Sequence, residues 1–443
     1  MGILEKRRGL VNSLVNRIKK YYYYIVIILG LILSILWVIF IKTTPISDFN
    51  YYNKLATDIA SGGFWGDTRQ AIGYPITLGF VYWVFGAGII KAKIFNLILT
   101  FTSYILFLYI LKKLDIKEFA RKITFIVFVL FPNNIFYNSI LAKEILMTTM
   151  LLMVTAIYLS KVKHKYIYMG IITGLITIIH ASFLVYVIGI FLVELICTKK
   201  LKKTVVSSLI ILLFVLLTIS PLVYRNSKLM GELTYVSTNS GVVLYINNNS
   251  QNHTGGWMSS SNVKNSVVNT TAYKNGNRAV RCKIFKSAAS KWIISHPERF
   301  VQLGFIRLKN TYFAGEDISW VYPGNNFSYE QEHKLQIFTQ RIRNIVFVPA
   351  LIYILILSIM KIIDLIKKKG NRDNINYKFQ VYILMLFYMF SLTQFITEGQ
   401  SRYFFPLIFI MVFSFVQFIY GILERIYRRL KIEKRNIEIV KKK

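Results

Sequence analysis

Residues 73–86 read GYPITLGFVYWVFG, and their placement decides the path of the whole chain. The stretch is apolar enough to enter a membrane, yet its roughly 14 residues fall short of the about 20 that a helix needs to cross the hydrocarbon core. If it crossed, the basic stretch 112–122 would face outside, against the rule that lysine and arginine gather in cytoplasmic loops. The stretch therefore reads as re-entrant or interfacial within an external loop. A plain span is the competing reading.

Working outward, the composition sets the class. Of 443 residues, 54% are hydrophobic and 15% aromatic, and the mean hydropathy is +0.47. Ordinary soluble domains are less apolar. Apolar blocks of bilayer length recur, among them 22–41, 123–138, 205–223 and 403–423. The first is too long for the apolar region of a signal peptide and lacks a small-residue cleavage site, so it reads as a retained span. Two cysteines, Cys197 in a span and Cys282 in a loop, make no disulfide framework.

The net charge of +35 belongs to the same picture. Of the 55 Lys and Arg, 33 lie at 6–20, 112–122, 161–165, 199–203, 361–378 and 425–443, between or beside apolar blocks. These stretches read as cytoplasmic and suited to anionic headgroups. No folded basic domain of the nucleic-acid type accompanies them.

The expected fold is an all-α polytopic membrane protein with about ten transmembrane helices. A cytoplasmic arm covers 1–21. A transmembrane module covers 22–223, with spans near 22–41, 92–111, 122–138, 145–160, two short ones within 166–197, and one at 204–223. Its first external loop is 42–91. An external segment covers 224–343, with helices over 278–312 broken at Pro297. Spans near 345–364, 379–396 and 403–423 follow within 344–424, and a basic tail covers 425–443. Both termini are expected in the cytoplasm of a bacterial-type plasma membrane. Phe49, Tyr52, Ala56 and Ile59 recur at helical spacing, predicting an amphipathic surface helix with Ser47 as N-cap and Gly62-Gly63 as its end. Asn248, Asn252, Asn269 and Asn326 sit in glycosylation sequons, which an Asn-rich chain produces by chance.

Few acids fall at the external edge. Asp48 follows the first span and Glu144 the third, so helix packing can bring them together. A carboxylate beside apolar surface can serve as a general base. Asp48 equally suits a helix N-terminus, and Glu144 equally suits a pairing with Lys143. More than about 15 Å between the two would defeat joint catalysis, which needs hydrogen-bond reach. Arg69, Lys143, Arg225 and Arg402 are the external cations nearby. Arg402, in TEGQSRYFFP, could grip a phosphate bidentately or snorkel to headgroups. His180 lies at a turn between two short spans, where a helix-end hydrogen bonder is the commoner role. His253 reads as a loop residue, and Asp58 and Asp67 as solvated. No nucleotide-binding glycine motif and no Cys/His cluster with zinc spacing occurs. Few acids lie inside spans, Glu194 being the main one, which weakens an ion-coupled transporter.

The order of features resembles the C-type membrane glycosyltransferases, the GT-C fold. Ser47-Asp48 and Tyr51-Tyr52 are followed by Arg69, Gly73-Tyr74-Pro75, Phe85-Gly86, Phe131-Pro132, Tyr137-Asn138-Ser139 and Lys143-Glu144. Gly170 and Gly174 then precede His180. Tyr224-Arg225-Asn226, Asn239-Ser240-Gly241 with 247–249, His296-Pro297 with Phe300, and Arg402-Tyr403 with Pro406 complete the run. It is most similar to glycosyltransferase family 39, the protein O-mannosyltransferase and aminoarabinose-transferase branch with its RgtA/B/C/D-like domains.

The resemblance implies an enzyme, a hexosyl- or pentosyltransferase. It would move a sugar from a polyprenyl-phosphate donor to an acceptor hydroxyl at the outer face, with inversion. The acceptor would be a glycan, lipid or protein, and no nucleic acid is involved. Asp48 matches the catalytic base and Glu144 the second acid. Arg402-Tyr403 matches a donor-phosphate pair, and Arg69, Tyr74, Lys143 and Arg225 are expected to bind substrate beside it. No cofactor is required by the resemblance, although some relatives hold a divalent metal. Three departures stand out: a single acid in the first loop, His180-Ala181 in place of Arg-Pro, and glutamate in place of aspartate at 144. A lipid-linked glycan polymerase or ligase, leaning on external arginines, is the alternative, followed by a non-enzymatic flippase.

Overall fold

The computed structural model describes residues 2–314, 318–367 and 372–441, which form helices and loops with no strand among them. The helices are α1 (Gly2–Phe40), α2 (Ser47–Ala60), α3 (Gly73–Phe85), α4 (Ile89–Lys113), α5 (Glu118–Val129) and α6 (Pro132–Phe136). Next come α7 (Lys143–Leu159), α8 (Lys165–Ile179), α9 (Val185–Thr198), α10 (Leu201–Met230) and α11 (Asn239–Asn247). The chain ends with α12 (Thr271–Asn275), α13 (Arg278–Ser295), α14 (Pro297–Tyr312), α15 (Tyr329–Ile366), α16 (Ile375–Ile396) and α17 (Ile408–Lys441).

Among the described residues, seven helical stretches are long and apolar enough to cross a membrane, so the protein is an integral membrane protein. They lie in α1 from Lys20, in α4, in Ala181–Thr198, in α10, α15 and α16, and in Ser401–Lys431. An eighth exists if α5 and Pro132–Ser139 count as one span bent by 47°. The bend falls at Phe131-Pro132, where proline cannot donate to the preceding turn. The expected ten spans are all helical, but two of them, α7 and α8, have only 17 and 15 residues. They are shorter because one end of each stops at the polar cluster described below. The 13 residues of α3 rise about 20 Å, less than the core thickness of about 30 Å.

Small residues let these short helices sit close. A Cβ on Gly73 would lie 2.7 Å from the backbone of Ile178 and Ile179, so the start of α3 is pressed against the end of α8. Gly79 meets Ala56 and Ile59 of α2. Gly170 and Gly174 seat α8 on Ile211, Phe214 and Thr218 of α10, a close approach that builds helix pairs in lipid without hydrophobic driving force. Hydrogen bonds join α4 to the segment before and within α7: Asn96 donates to the Ile140 carbonyl at 2.7 Å, and Ser103 meets Thr149 at 2.8 Å. Such pairs hold membrane helices because a lone polar group in hydrocarbon is costly.

The amphipathic helix at 47–60 is α2, burying Phe49, Tyr52, Leu55 and Ala56. Its start differs from expectation. Ser47 is the first helical residue, at φ 50°, and Ile46 stands before it with no side-chain cap. The Phe49 and Asn50 amides donate instead to the Ile46 carbonyl, at 3.0 and 3.3 Å. The end is as expected, with Gly62 at φ 76°.

The segment between α10 and α15 forms α11 to α14 around a small core of Tyr245, Ile246, Val263, Phe285 and Ala289. Helices α13 and α14 meet at Pro297, as expected. Asn249 and Asn252 knot the loop after α11. Each amide donates to backbone carbonyls, including Ile246, and each side-chain oxygen accepts two backbone N–H groups. The fully buried Arg307 of α14 then ties this segment to the end of α16. It donates to the carbonyls of Phe395 at 2.7 Å and Ile396 at 3.2 Å, to Asn248 Oδ1 at 3.0 Å, and to the Asn247 carbonyl. Burial lowers its pKa to about 10, leaving it charged at neutral pH. A Cβ on Gly399 would fall 2.3 Å from the Arg307 carbonyl oxygen, so only glycine fits there.

Candidate active site

Three chain segments far apart in sequence converge at one end of the bundle. The first turn of α2 carries Asp48, the first turn of α7 carries Glu144, and the turn of 3-10 helix Ser401–Leu407 before α17 carries Arg402. Arg402 joins the two acids. One terminal guanidinium nitrogen lies 3.2 Å from Asp48 Oδ2, and Nε lies 3.9 Å from Glu144 Oε1. The acids are thus held by a single side chain, well inside the separation that would have defeated them.

Arg402 is fixed from several sides. Its Nε donates to Gln400 Oε1 at 3.0 Å, and Gln400 donates to Glu398 Oε1 at 2.7 Å. Tyr403 donates to the other Glu398 oxygen at 2.8 Å. The rings of Trp320, Tyr403 and Phe49 have centroids 5.5, 5.6 and 5.7 Å from the guanidinium carbon, within the range where aromatic faces attract cations. The clamp of Arg307 on Phe395 and Ile396 holds the start of this same loop.

Asp48 accepts from Gln70 Nε2 at 2.9 Å. Burial pushes its pKa up, but Arg402, Gln70 and Lys143 outweigh burial and hold the carboxyl below its ordinary value. Asp48 is an ionised, paired carboxylate at rest. Glu144 is 3% exposed, and its Oε2 has no hydrogen-bond partner among the described residues. The buried Tyr74 hydroxyl and Gln70 Oε1 are likewise without one. Native structures leave few buried polar atoms unsatisfied, and these three belong to Glu144 and to residues packed on Asp48 and Tyr52 of the first loop.

The other expected residues divide. Lys143 opens α7 beside Glu144, close enough for its charge to act on Asp48. His180 caps α8, with its ring in edge contact with Tyr403 at 6.4 Å and Nδ1 2.7 Å from the Ser182 hydroxyl. Burial, then Lys143 and Arg402, press its pKa well below 6.5, so the ring is neutral. Tyr74, on α3, packs edge-on to Tyr52.

Arg69 and Arg225 stand apart from this cluster. Arg69 is exposed, and its neighbour Gln70 reaches Asp48 instead. Arg225 donates to the carbonyls of Trp65 and Gly66 and to Asn226, securing the first loop. Asp67, expected in solvent, pairs with Arg278 at 2.5 Å. Gln70, Gln400, Phe49 and Trp320 were not among the expected residues. Two glutamines bracketing an Asp–Arg pair carry no sequence signature.

The donor set does not suit a divalent metal. Among the described residues no three His, Cys, Asp or Glu converge. The two carboxylates that face each other are already joined by a guanidinium, whereas calcium and magnesium take about six oxygen ligands.

No family profile matches the chain, and no curated protein does. Two solved structures of the Archaeoglobus fulgidus oligosaccharyltransferase do match in fold. One is the apo form, with TM-score 0.53 and 11% identity over 93% of this chain. The other is tethered by a disulfide to an acceptor peptide containing the NVT sequon, with TM-score 0.52 and 11% identity over 93% of this chain. That enzyme is a GT-C glycosyltransferase, and the present chain shares its fold. The chain spans about half the length of that protein, 52% and 51% in the two structures.

Proposed function

We propose that the protein is a membrane glycosyltransferase that moves a sugar from a lipid-linked phosphate donor to an acceptor hydroxyl at the outer membrane face. The observation that carries this reading is the Asp48–Arg402–Glu144 cluster, set at one end of a GT-C bundle and bordered by buried polar atoms without partners. The opposite ends of the helices carry the basic stretches, which supports cytoplasmic termini and an external site.

The resting site is a closed ion pair, and an arriving donor phosphate competes for the Arg402 guanidinium. Arg and Lys bind phosphate strongly, Arg in bidentate fashion. As Arg402 turns toward phosphate, Asp48 loses its partner and its proton affinity rises. Asp48 then takes the proton of the acceptor hydroxyl while the acceptor oxygen bonds to the anomeric carbon. The bond from that carbon to the phosphate oxygen breaks, its electron pair leaves with the lipid phosphate, and Arg402 and Lys143 hold the added charge. One displacement inverts the anomeric centre. Glu144 keeps Arg402 oriented, and neutral His180 adds no competing cation.

The test is incubation of purified protein with a panel of polyprenyl-phosphate sugars, reading out free polyprenyl phosphate. The neighbour's tethered peptide makes an NVT peptide the first acceptor to try beside glycan and lipid acceptors. Asp48→Asn is expected to abolish transfer while donor binding persists and the chain stays folded, losing only the small stability of a partly exposed ion pair. Near-normal turnover in that variant would overturn the assignment of the base.

A further inference from the structure

A groove of about 480 Å³ opens at the other end of the bundle, between the starts of α8 and α10. Lys200, Lys202 and Lys203 rim it, Tyr166 closes one side, and Val206 and Ile210 form its floor. The three lysines are exposed. The groove is remote from Arg402, because α8 runs 15 residues, about 22 Å, from this groove to His180 beside Tyr403.

We infer that this groove holds an anionic glycerophospholipid of the membrane leaflet opposite the Asp48 site. The lining is ordered by depth. Val206 and Ile210 follow Lys203 by three and seven positions on one face of α10, so they lie about one and two turns deeper along the helix. Exposed Leu209, Leu213 and Leu217 extend the apolar surface further in the same direction. A phosphate fits at the lysine rim and an acyl chain along the floor, an arrangement that a soluble anion would not use. The first turn of α10 adds to the attraction, since Lys200 supplies no side-chain cap and free amides at a helix start favour anions. One acid is close. Glu194 is buried behind Tyr166 and balanced by Lys165, so the rim keeps its positive charge. Such a leaflet carries negative surface potential that draws basic clusters.

The position gives the lipid leverage. α8 and α10 meet through Gly170 and Gly174, and a lipid spanning their ends fastens the pair whose far end carries His180.

The full-length protein in detergent is titrated with phosphatidylglycerol, phosphatidylcholine or glycerol phosphate, and bound lipid is counted by native mass spectrometry. Lys200→Gln/Lys202→Gln/Lys203→Gln is compared with Lys117→Gln/Lys161→Gln/Lys163→Gln, which removes as much charge from the same end outside the groove. Phosphatidylglycerol retention is expected to fall about tenfold or more in the groove variant, about 1.4 kcal/mol, and to hold in the control. Equal loss in both variants would mean diffuse surface charge and overturn the site. Equal retention of phosphatidylcholine, or displacement by glycerol phosphate, would also overturn it. These readouts are independent of sugar transfer.

Discussion

Replacing Arg402 with glutamine separates what this side chain does for folding from what it does for chemistry. At 3.2 Å from Asp48 and 3.9 Å from Glu144, each attraction is worth roughly 4–5 kcal/mol at an effective dielectric constant near 20, before desolvation is subtracted. The Asp48 side chain is 33% exposed, so water takes over much of its share. The Glu144 side chain is 4% exposed, and stranding a buried charge costs about 3–5 kcal/mol. Lys143 offsets part of that, placing the expected loss near the lower end, about 3 kcal/mol. Transfer should fall by about 10²–10³, the usual cost of removing one donor to developing charge. Chemical unfolding in detergent reads the first effect and release of polyprenyl phosphate reads the second. Adding Glu144→Gln to Arg402→Gln removes the stranded charge. The double variant should regain most of the stability and none of the transfer. Recovery of transfer in the double variant, or unchanged stability in the single one, would refute the argument that Arg402 serves both roles.

Two further outcomes follow from the geometry. Because Asp48 is held below its ordinary pKa of 3.8, its pairing contributes stability above that value and loses it as pH falls through the lowered one. Stability should therefore lack an Asp48-dependent step above about pH 5, and the free enzyme should show no acid limb from this group there. An Asp48-dependent midpoint near pH 6–7 would contradict the resting pair. Arg307→Ala strands the Asn247 and Phe395 carbonyls and the Asn248 amide oxygen at about 1–3 kcal/mol each, so limited proteolysis should cut the 247–256 loop several-fold faster. Equal cutting of the variant and the parent protein would remove Arg307 as the tie between that segment and α16.

The sequence made the outline of the bundle legible because apolar length and loop charge are additive properties. Seven or eight crossings emerge by length where about ten were expected, since α7 and α8 end inside the polar cluster instead of at the lipid boundary. Asp48, Glu144 and Arg402 were legible as residues at one face, though not as one ion-paired unit. Their union depends on packing of α2, α7 and the turn before α17, which no local pattern encodes. Loop side chains were the least legible. Arg69 and Gln70 are adjacent, and backbone direction alone decides that the amide reaches Asp48 while the guanidinium faces outward. Arg225 is spent on carbonyls because a loop with few hydrogen bonds of its own needs a donor. Ser47 failed as an N-cap because the chain enters α2 through a left-handed residue, with Ile46 before it.

The knotted asparagine loop closes off two of the four sequons. Asn248 and Asn252 are 1% and 2% exposed, with their amides engaged, whereas Asn269 and Asn326 are exposed. A group on the amide of Asn248 or Asn252 would have to displace those hydrogen bonds, so the folded chain offers neither as an acceptor.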